Sequence, residues 1–502
     1  MNDRKPLLYL LLGAWLSFTA IVMAGTAFLP SAPEAARATP ALLYRIAANE
    51  ELTPAPAPVR VGRSVLADLD AMTITLLDGE TEVGRYSILS KGKEGTFWET
   101  PTGTYVIGAK EPKHFSSIGG TWMPYSMQFY GNFFIHGWPT YPDGTPVAKG
   151  YSGGCIRLAT EDAREVYLFA ESGTKVSVVG GLSSRRFATS SRYYLRAPEL
   201  SSEESWGTSS LPTIAAPSFV VADVDSGEVL WQRASRTPVP AKELVALVTA
   251  LTALETVDQY KLVRMGDLLL GNFVSRKQPL GAPDEVTLGS LIYPLLFDAN
   301  DTAAKAFAAE HGRKQFARSM NQKSVAIGMD ETVWAGALST DFSTTTARDL
   351  LTLLRYVEAH KRFLLDVTRS TERTFVGADG TTEFHWDNKN PWLLGGDSAY
   401  RGGLGILRPN GSGSALLLFA LPVSEFSERT IAVVVPDSSA LLADVALLRA
   451  FILDHYVFGI ERQEAAFIRE PAEPTPSLLY QIKRVLDLSR FLDEEVEYER
   501  EV

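Results

Sequence analysis

Two stretches of this 502-residue chain are too poor in apolar residues with regular spacing to build a core, and their positions divide it into separate folding units. Residues 31–57 are rich in Ala and Pro, and residues 182–216 in Ser, Thr, Arg and Pro. Both read as linkers. They leave residues 58–181 and 217–459, each long enough for its own core. Residues 460–502 are a charged tail in which Ser477 to Asp493 is patterned as an amphipathic helix. A net charge of −11, with no basic cluster beyond Arg185-Arg186, argues against a nucleic-acid partner.

Residues 1–30 carry the information on location. Arg4 and Lys5 precede an apolar run from Leu7 to Leu29. At 1.5 Å per residue such a helix is roughly 34 Å long, enough for a bilayer core. The basic flank stays inside, which places the rest of the chain outside the cytoplasm, held at the inner membrane. A cleaved signal peptide ending at Val22-Met23-Ala24 is the competing reading and makes the protein secreted.

In the segment 58–181, runs such as Met72 to Leu77 and Lys175 to Val179 read as strands between Gly-rich turns. Thr160 to Phe169 reads as a helix, with Thr160 as N-cap and Glu161 and Asp162 in its first turn. The result is a mostly β domain, with His114 in a polar surface loop. Its chemistry centres on the chain's single cysteine, Cys155, in Ser152-Gly153-Gly154-Cys155-Ile156-Arg157-Leu158. A free cysteine is ordinarily a small apolar core residue. Three Ser and Gly residues before it and an arginine two positions after it suit a core poorly. They suit a nucleophile on a tight turn, with His136 of Ile135-His136-Gly137 delivered from another strand as its base. Gly153 and Gly154 allow positive φ and leave room for a substrate carbonyl. Backbone N–H groups of the Ser152 turn would hold the oxyanion, and Arg157 a carboxylate. Tyr125, Trp138 and Tyr151 line a groove or belong to the core.

This segment resembles an L,D-transpeptidase catalytic domain of the YkuD type. Fifteen residues separate His136 from Ser152, and Cys155-Ile156-Arg157 falls in register with that family's cysteine motif. Glu99-Thr100-Pro101-Thr102-Gly103-Thr104-Tyr105 and Met123-Pro124-Tyr125-Ser126-Met127 match as well. Gly153 stands where the family usually has a second histidine. That histidine is not the usual base, so the departure implies altered tuning of the cysteine.

The segment 217–459 alternates strand-like runs, Ser218 to Asp223 and Thr430 to Val435, with amphipathic helical patterns at Glu243 to Thr256, Thr302 to His311 and Thr346 to Val357. It resembles the serine D-alanyl-D-alanine carboxypeptidases of the penicillin-binding and β-lactamase superfamily, an α/β or α+β fold. The matching stretches are Asp223 to Leu230, Leu247 to Leu251 and Met320 to Met329. Its chemistry does not carry over. Glu243 and Ala246 stand at the nucleophile and lysine positions, Asp298-Ala299-Asn300 replaces Ser-x-Asn, and Arg401-Gly402-Gly403 replaces Lys-Thr-Gly. Ser90-Lys91-Gly92-Lys93 and Ser319-Met320-Asn321 fit two of these motifs by chance. Arg401 retains the charge to hold a terminal carboxylate.

The two resemblances together imply a peptidoglycan L,D-transpeptidase with a catalytically dead carboxypeptidase-like domain. It would form 3→3 cross-links between stem peptides through a Cys155 thioester and release D-alanine, with no metal and no cofactor. L,D-carboxypeptidase activity, or attachment of a protein or D-amino acid, uses the same cysteine; a non-catalytic wall-binding scaffold is the reading of another class. The sequence leaves the oligomeric state open.

Overall fold

Alternation of inward and outward side chains builds the first domain from two sheets. The computed structural model describes residues 62–180, 192–195, 212–264, 266, 275–276, 284–377, 379–424 and 427–459. Strands β1 (Arg63–Asp68), β2 (Thr73–Asp78), β3 (Thr81–Ser87), β4 (Gly103–Val106) and β9 (Lys175–Val179) form a sheet in the order β3-β2-β1-β9-β4, with only the β1–β9 pair parallel. Strands β5 (Lys110–Ser116), β6 (Thr121–Tyr130), β7 (Phe133–His136) and β8 (Ile156–Arg157) form the second, in that order. Val65, Ile74, Val176 and Val178 of one sheet share a core with Met127, Phe129, Ile135 and Ile156 of the other. Helix α1 (Thr160–Phe169) adds Ala163 and Val166.

The helix lies where the sequence puts it, but its N-cap is Ala159, with no side-chain cap hydrogen bond; Thr160 is its first residue. Met72 precedes β2 instead of starting it, because its φ of 55° turns the chain. His114 lies in β5, not in a loop, and its ring stacks on Phe134 at 4.9 Å.

The second domain is built on an antiparallel sheet, which makes it α+β. Strands β11 (Ser218–Asp223), β12 (Val229–Arg233), β13 (Tyr400–Leu407), β14 (Gly413–Ser424) and β15 (Ser427–Ser438) run in the order β12-β11-β15-β14-β13. A separate pair joins β10 (Arg192–Leu195) to β16 (Tyr456–Gly459). One face of the large sheet carries α2 (Val245–Thr256), α3 (Ile292–Asp298), α4 (Asp301–His311), α5 (Arg313–Ile327), α6 (Ala347–His360) and α7 (Arg362–Thr368), and the other carries α8 (Leu441–His455). The expected amphipathic helix from Glu243 is instead a 3₁₀ turn, Lys242–Leu244, followed by α2, all twelve residues of which are buried. Other elements enclose it on every side, its threonines and Glu255 included. Thr346 caps α6, its hydroxyl accepting from the Asp349 N–H at 3.0 Å. The segment read as a linker ends inside this domain: Ile214 and Ala216 are core residues, and the N–H groups of Ala215 and Ala216 both donate to Asp444 at 2.8 Å.

The apolar run from Leu7 to Leu29, the linker 31–57 and the tail 460–502 lie outside the described residues. Among the described residues no helix is long and apolar enough to cross a membrane.

The two domains meet across a seam of buried polar groups. Ala326 of α5 packs into the first domain's core next to Gly103, and the Tyr130 hydroxyl donates to the Ser319 carbonyl at 3.3 Å. Lys323 Nζ donates to Glu255 Oε1 at 3.0 Å, to the Tyr356 hydroxyl at 2.7 Å and to the Tyr105 hydroxyl at 3.1 Å. Lys323 and Glu255 are wholly sequestered from water, and burial lowers the lysine pKa to about 8 against the pull of Glu255. A buried ion pair of this kind is costly to break by removing one partner. Lys323→Met is expected to destabilise the protein by about 3–5 kcal/mol in urea unfolding, because it leaves the buried Glu255 with only Lys361, at 4.0 Å, opposite it; adding Glu255→Leu should recover most of that loss.

Candidate active site

Pairing of two short strands brings the sequence-predicted residues together. Strands β7 and β8 are parallel, with Ile135 opposite Ile156 and His136 opposite Arg157. Both isoleucines point into the core. Successive side chains alternate across a sheet, so Phe134, His136 and Arg157 share the opposite face, and Cys155 immediately precedes β8. The fifteen-residue excursion between His136 and Ser152 thus returns the cysteine to the strand that carries the histidine.

His136 is buried, and its Nδ1 lies 2.6 Å from the Gly137 carbonyl oxygen. A carbonyl only accepts, so Nδ1 carries the proton and Nε2 holds the free lone pair. Burial, with Arg157 and His114 adding to it and the Gly137 hydrogen bond opposing, lowers the His136 pKa to about 4. Cys155 is half-buried, and its thiol faces the Asn132 carbonyl at 3.7 Å. Burial pushes its pKa up, against a backbone hydrogen bond from Phe134 and the charge of Arg157. The resting pair is therefore neutral thiol and neutral imidazole.

The turn before the cysteine is tied at Ser152 and Gly154. The Ser152 hydroxyl donates to the Cys155 carbonyl at 2.6 Å and accepts from the Gly154 N–H at 3.0 Å. The Ser152 N–H donates to the Lys91 carbonyl, and the Arg157 N–H to the Ser90 carbonyl, both at 2.8 Å. Gly154 has a φ of 103°, and a Cβ there would run into the Phe133 ring. Gly153 differs: its φ is not positive, and a Cβ would meet only the Trp98 ring at 3.8 Å. Only one of the two glycines is thus required by the backbone, and the Gly153 position has room for a side chain.

Arg157 lies with its guanidinium 5.7 Å from the centre of the Trp138 ring, and its buried Nε has no partner. Trp138 Nε1 donates to the Val147 carbonyl at 2.9 Å. Tyr125 packs on Tyr167 of α1, with ring centres 5.8 Å apart, and belongs with the core more than with a groove; Tyr151 is exposed beside Lys93. Sequence reasoning missed Ser90, Gly92, Trp98, Thr100 and Asn132, whose backbone and hydroxyl groups surround the turn.

In the second domain the degenerate positions do not converge. Glu243 is held by Arg408 through contacts of 2.8 to 3.1 Å, Ala246 is in the core, and Asp298 pairs with Lys389 at 3.3 Å. The Asn300 side chain caps α4 by accepting from the Ala303 N–H. Arg401 is engaged by both Glu428 oxygens and by the Ser398 carbonyl, so its charge is already neutralised. It stands at the start of β13 and Arg408 just past the end, roughly 23 Å along a strand at 3.3 Å per residue. Gly403 has a φ of 114°, and a Cβ there would strike the Leu416 carbonyl. One trio, Glu372, His385 and Asp387, brings possible metal ligands together among the described residues; all three are exposed and lie in the second domain.

The contrast between the two glycines is measurable. Gly154→Ala should cost about 3 kcal/mol or more in chemical denaturation, from a positive φ and overpacking together, whereas Gly153→Ala should stay within about 1 kcal/mol of the parent.

The family model for the L,D-transpeptidase catalytic domain matches residues 62–178, and that for D-alanyl-D-alanine carboxypeptidase matches residues 206–403. A Bacillus licheniformis protein named "Putative L,D-transpeptidase YkuD" is 32% identical over 121 residues, 24% of this chain and 68% of that protein. Among solved structures, the D-alanyl-D-alanine carboxypeptidase of Mycobacterium tuberculosis is 20% identical, over 50% of this chain and 95% of that one, with a TM-score of 0.39. A point mutant of the Streptomyces K15 DD-transpeptidase is 21% identical, over 47% and 98%, with a TM-score of 0.40. The chain belongs to the YkuD L,D-transpeptidase family and carries a D-alanyl-D-alanine carboxypeptidase domain after the family domain.

Proposed function

We propose that this protein is a peptidoglycan L,D-transpeptidase that uses Cys155 as nucleophile and forms 3→3 cross-links. The observation that carries the reading is that Cys155 directly precedes the strand whose Arg157 pairs with His136, while His136 Nδ1 is taken by the Gly137 carbonyl and Nε2 is not. The sulfur attacks the carbonyl carbon of the third residue of a tetrapeptide stem while Nε2 takes the thiol proton. The carbonyl oxygen becomes an oxyanion beside the Cys155 backbone N–H, the Gly154 N–H being held by the Ser152 hydroxyl. The bond to the terminal D-alanine breaks, its nitrogen receives the proton from His136, and a thioester remains. The side-chain amine of a neighbouring stem then attacks the thioester and gives its proton to His136, which returns it to the departing sulfur. Arg157, a guanidinium with a buried Nε lacking a protein partner, is suited to a stem carboxylate.

Because the resting pair is neutral, the proton moves with the attack and no thiolate is stored beforehand. The base works only when deprotonated, so activity is present above the His136 pKa and is lost as pH falls through about 4. A kcat/KM profile with its acid limb near the ordinary histidine value, about 6.5, would assign the base to another, more exposed group.

The reading places the enzyme outside the cytoplasm, where stem peptides are, with the apolar run from Leu7 to Leu29 as membrane anchor. The protein incubated with purified tetrapeptide muropeptides should yield, by mass spectrometry, a dimer equal to two donors minus one D-alanine, and Cys155→Ala should yield none. Monomeric tripeptide alone would establish hydrolysis instead, and unchanged donor would sink the enzyme reading for this substrate.

A further inference from the structure

Residues 97–102 of the first domain lie between the Cys155 turn and the second domain, and their groups divide between the two. Phe97 packs against the second domain's core. Glu99 Oε1 lies 2.9 Å from His360 Nδ1, and the Glu99 and Phe97 carbonyls accept from Lys361 Nζ at 2.8 and 3.3 Å. His360 Nε2 lies 3.2 Å from the Thr102 hydroxyl. Facing the turn, the Thr100 hydroxyl donates to the Gly154 carbonyl at 2.9 Å and accepts from the Gly92 N–H at 2.9 Å. The Trp98 ring covers Gly153, and Gly92 sits so close to the strap that a Cβ would lie 2.7 Å from the Thr100 nitrogen and 2.9 Å from the Gly154 Cα. Tyr260 of the second domain stacks on Trp98 at 6.4 Å.

The Gly154 carbonyl and the Cys155 N–H belong to one planar trans peptide and point in opposite directions. A hydroxyl that fixes the carbonyl therefore fixes where that N–H aims, and this N–H is among the donors available to an oxyanion at Cys155. A docking seam alone requires only complementary side chains. Here Lys361 grips main-chain carbonyls, and what it immobilises is the backbone immediately before Thr100.

We propose that the carboxypeptidase-like domain is a brace for the transpeptidase site: His360 and Lys361 are positioning residues that hold the strap 97–102, and through Thr100 they set the orientation of the Gly154–Cys155 peptide. The catalytic consequence rests on Cys155 being the nucleophile; the mechanical coupling does not.

The test uses the full chain with Lys361→Met, Thr100→Val, the two combined, and Thr100→Ser as the conservative control. Amide hydrogen exchange of residues 150–158 and the rate of Cys155 alkylation by iodoacetamide are read without any substrate, and kcat and KM are read with tetrapeptide donor. In a cooperatively folded Lys361→Met protein, exchange in 150–158 should rise about tenfold and kcat fall by a similar factor at nearly constant KM. Thr100→Val should do the same, the pair should be strongly non-additive, and Thr100→Ser should keep the parent values. Parent-like exchange and alkylation in folded Lys361→Met, or simple additivity with Thr100→Val, would overturn the brace. If Lys361→Met does not fold, His360→Leu, which removes the contacts to Glu99 and Thr102 and leaves the lysine, takes its place: raised exchange in 150–158 upholds the brace and parent-like exchange overturns it. Loss of exchange protection in a chain that makes no dimer would uphold the brace while refuting the transpeptidase reading, and dimer formation unaffected by folded Lys361→Met would do the reverse.

Discussion

Four ionisable side chains at the domain seam, Glu99, Glu255, Lys323 and Lys361, have almost no contact with water, and all four find partners across or along it: Glu99 with His360, Glu255 with Lys323, and Lys361 with the Phe97 and Glu99 carbonyls. Glu255, Lys323 and Lys361 come from the second domain, whereas Glu99 and the tyrosine Tyr105 come from the first. Removing a charge from water is expensive unless its hydrogen bonds are replaced. Lys323 replaces them with three partners drawn from both domains, so a displacement of either would leave a buried ammonium short of acceptors. The seam is also close: at Gly131 a Cβ would lie 2.7 Å from the Glu255 carbonyl, and at Gly103 one would lie 2.8 Å from the Ala326 carbonyl. Polar pairing fixes the alignment, and missing side chains permit the approach.

Much of the candidate site is legible in the sequence because chemistry restricts residue type. A lone cysteine among glycines with an arginine behind it is a poor core, and the upstream histidine has few other tasks. The parallel register of Ile135 with Ile156 is not legible, because a fifteen-residue spacer says nothing about which strand pairs with which. The two glycines look equivalent in sequence, and only φ separates Gly154 from Gly153. Ser90-Lys91-Gly92-Lys93, a chance fit to a serine nucleophile motif, nonetheless supplies backbone partners to the turn, through groups that every residue possesses. Glu99 and Thr100 lie in a stretch whose resemblance is visible, yet their partners His360, Lys361 and Gly154 are up to 262 residues away.

In the second domain the charges at the positions aligned with the family's motifs are taken up within the protein. Each charged residue at a degenerate position has found an opposite charge: Glu243 with Arg408, Asp298 with Lys389, Arg401 with Glu428. The expectation that Arg401 is free to hold a terminal carboxylate fails on this point, since both its outer nitrogens are occupied. These partners lie 165, 91 and 27 residues away in the chain, beyond the reach of any local pattern.

Helix α2 runs from that region to the neighbourhood of Cys155. It follows directly on Glu243 and Leu244 and extends about 18 Å at 1.5 Å per residue to Thr256. Near its far end Glu255 contributes twice: its carboxylate holds Lys323, and its carbonyl accepts from the Asn132 N–H at 3.4 Å. The Asn132 carbonyl is in turn the partner of the Cys155 thiol. The helix therefore touches the cysteine's surroundings through Asn132, as the strap does through Thr100, and the two routes reach opposite sides of Cys155: its sulfur and the peptide that precedes it. A domain that needed only to stick would have no reason to bear on both.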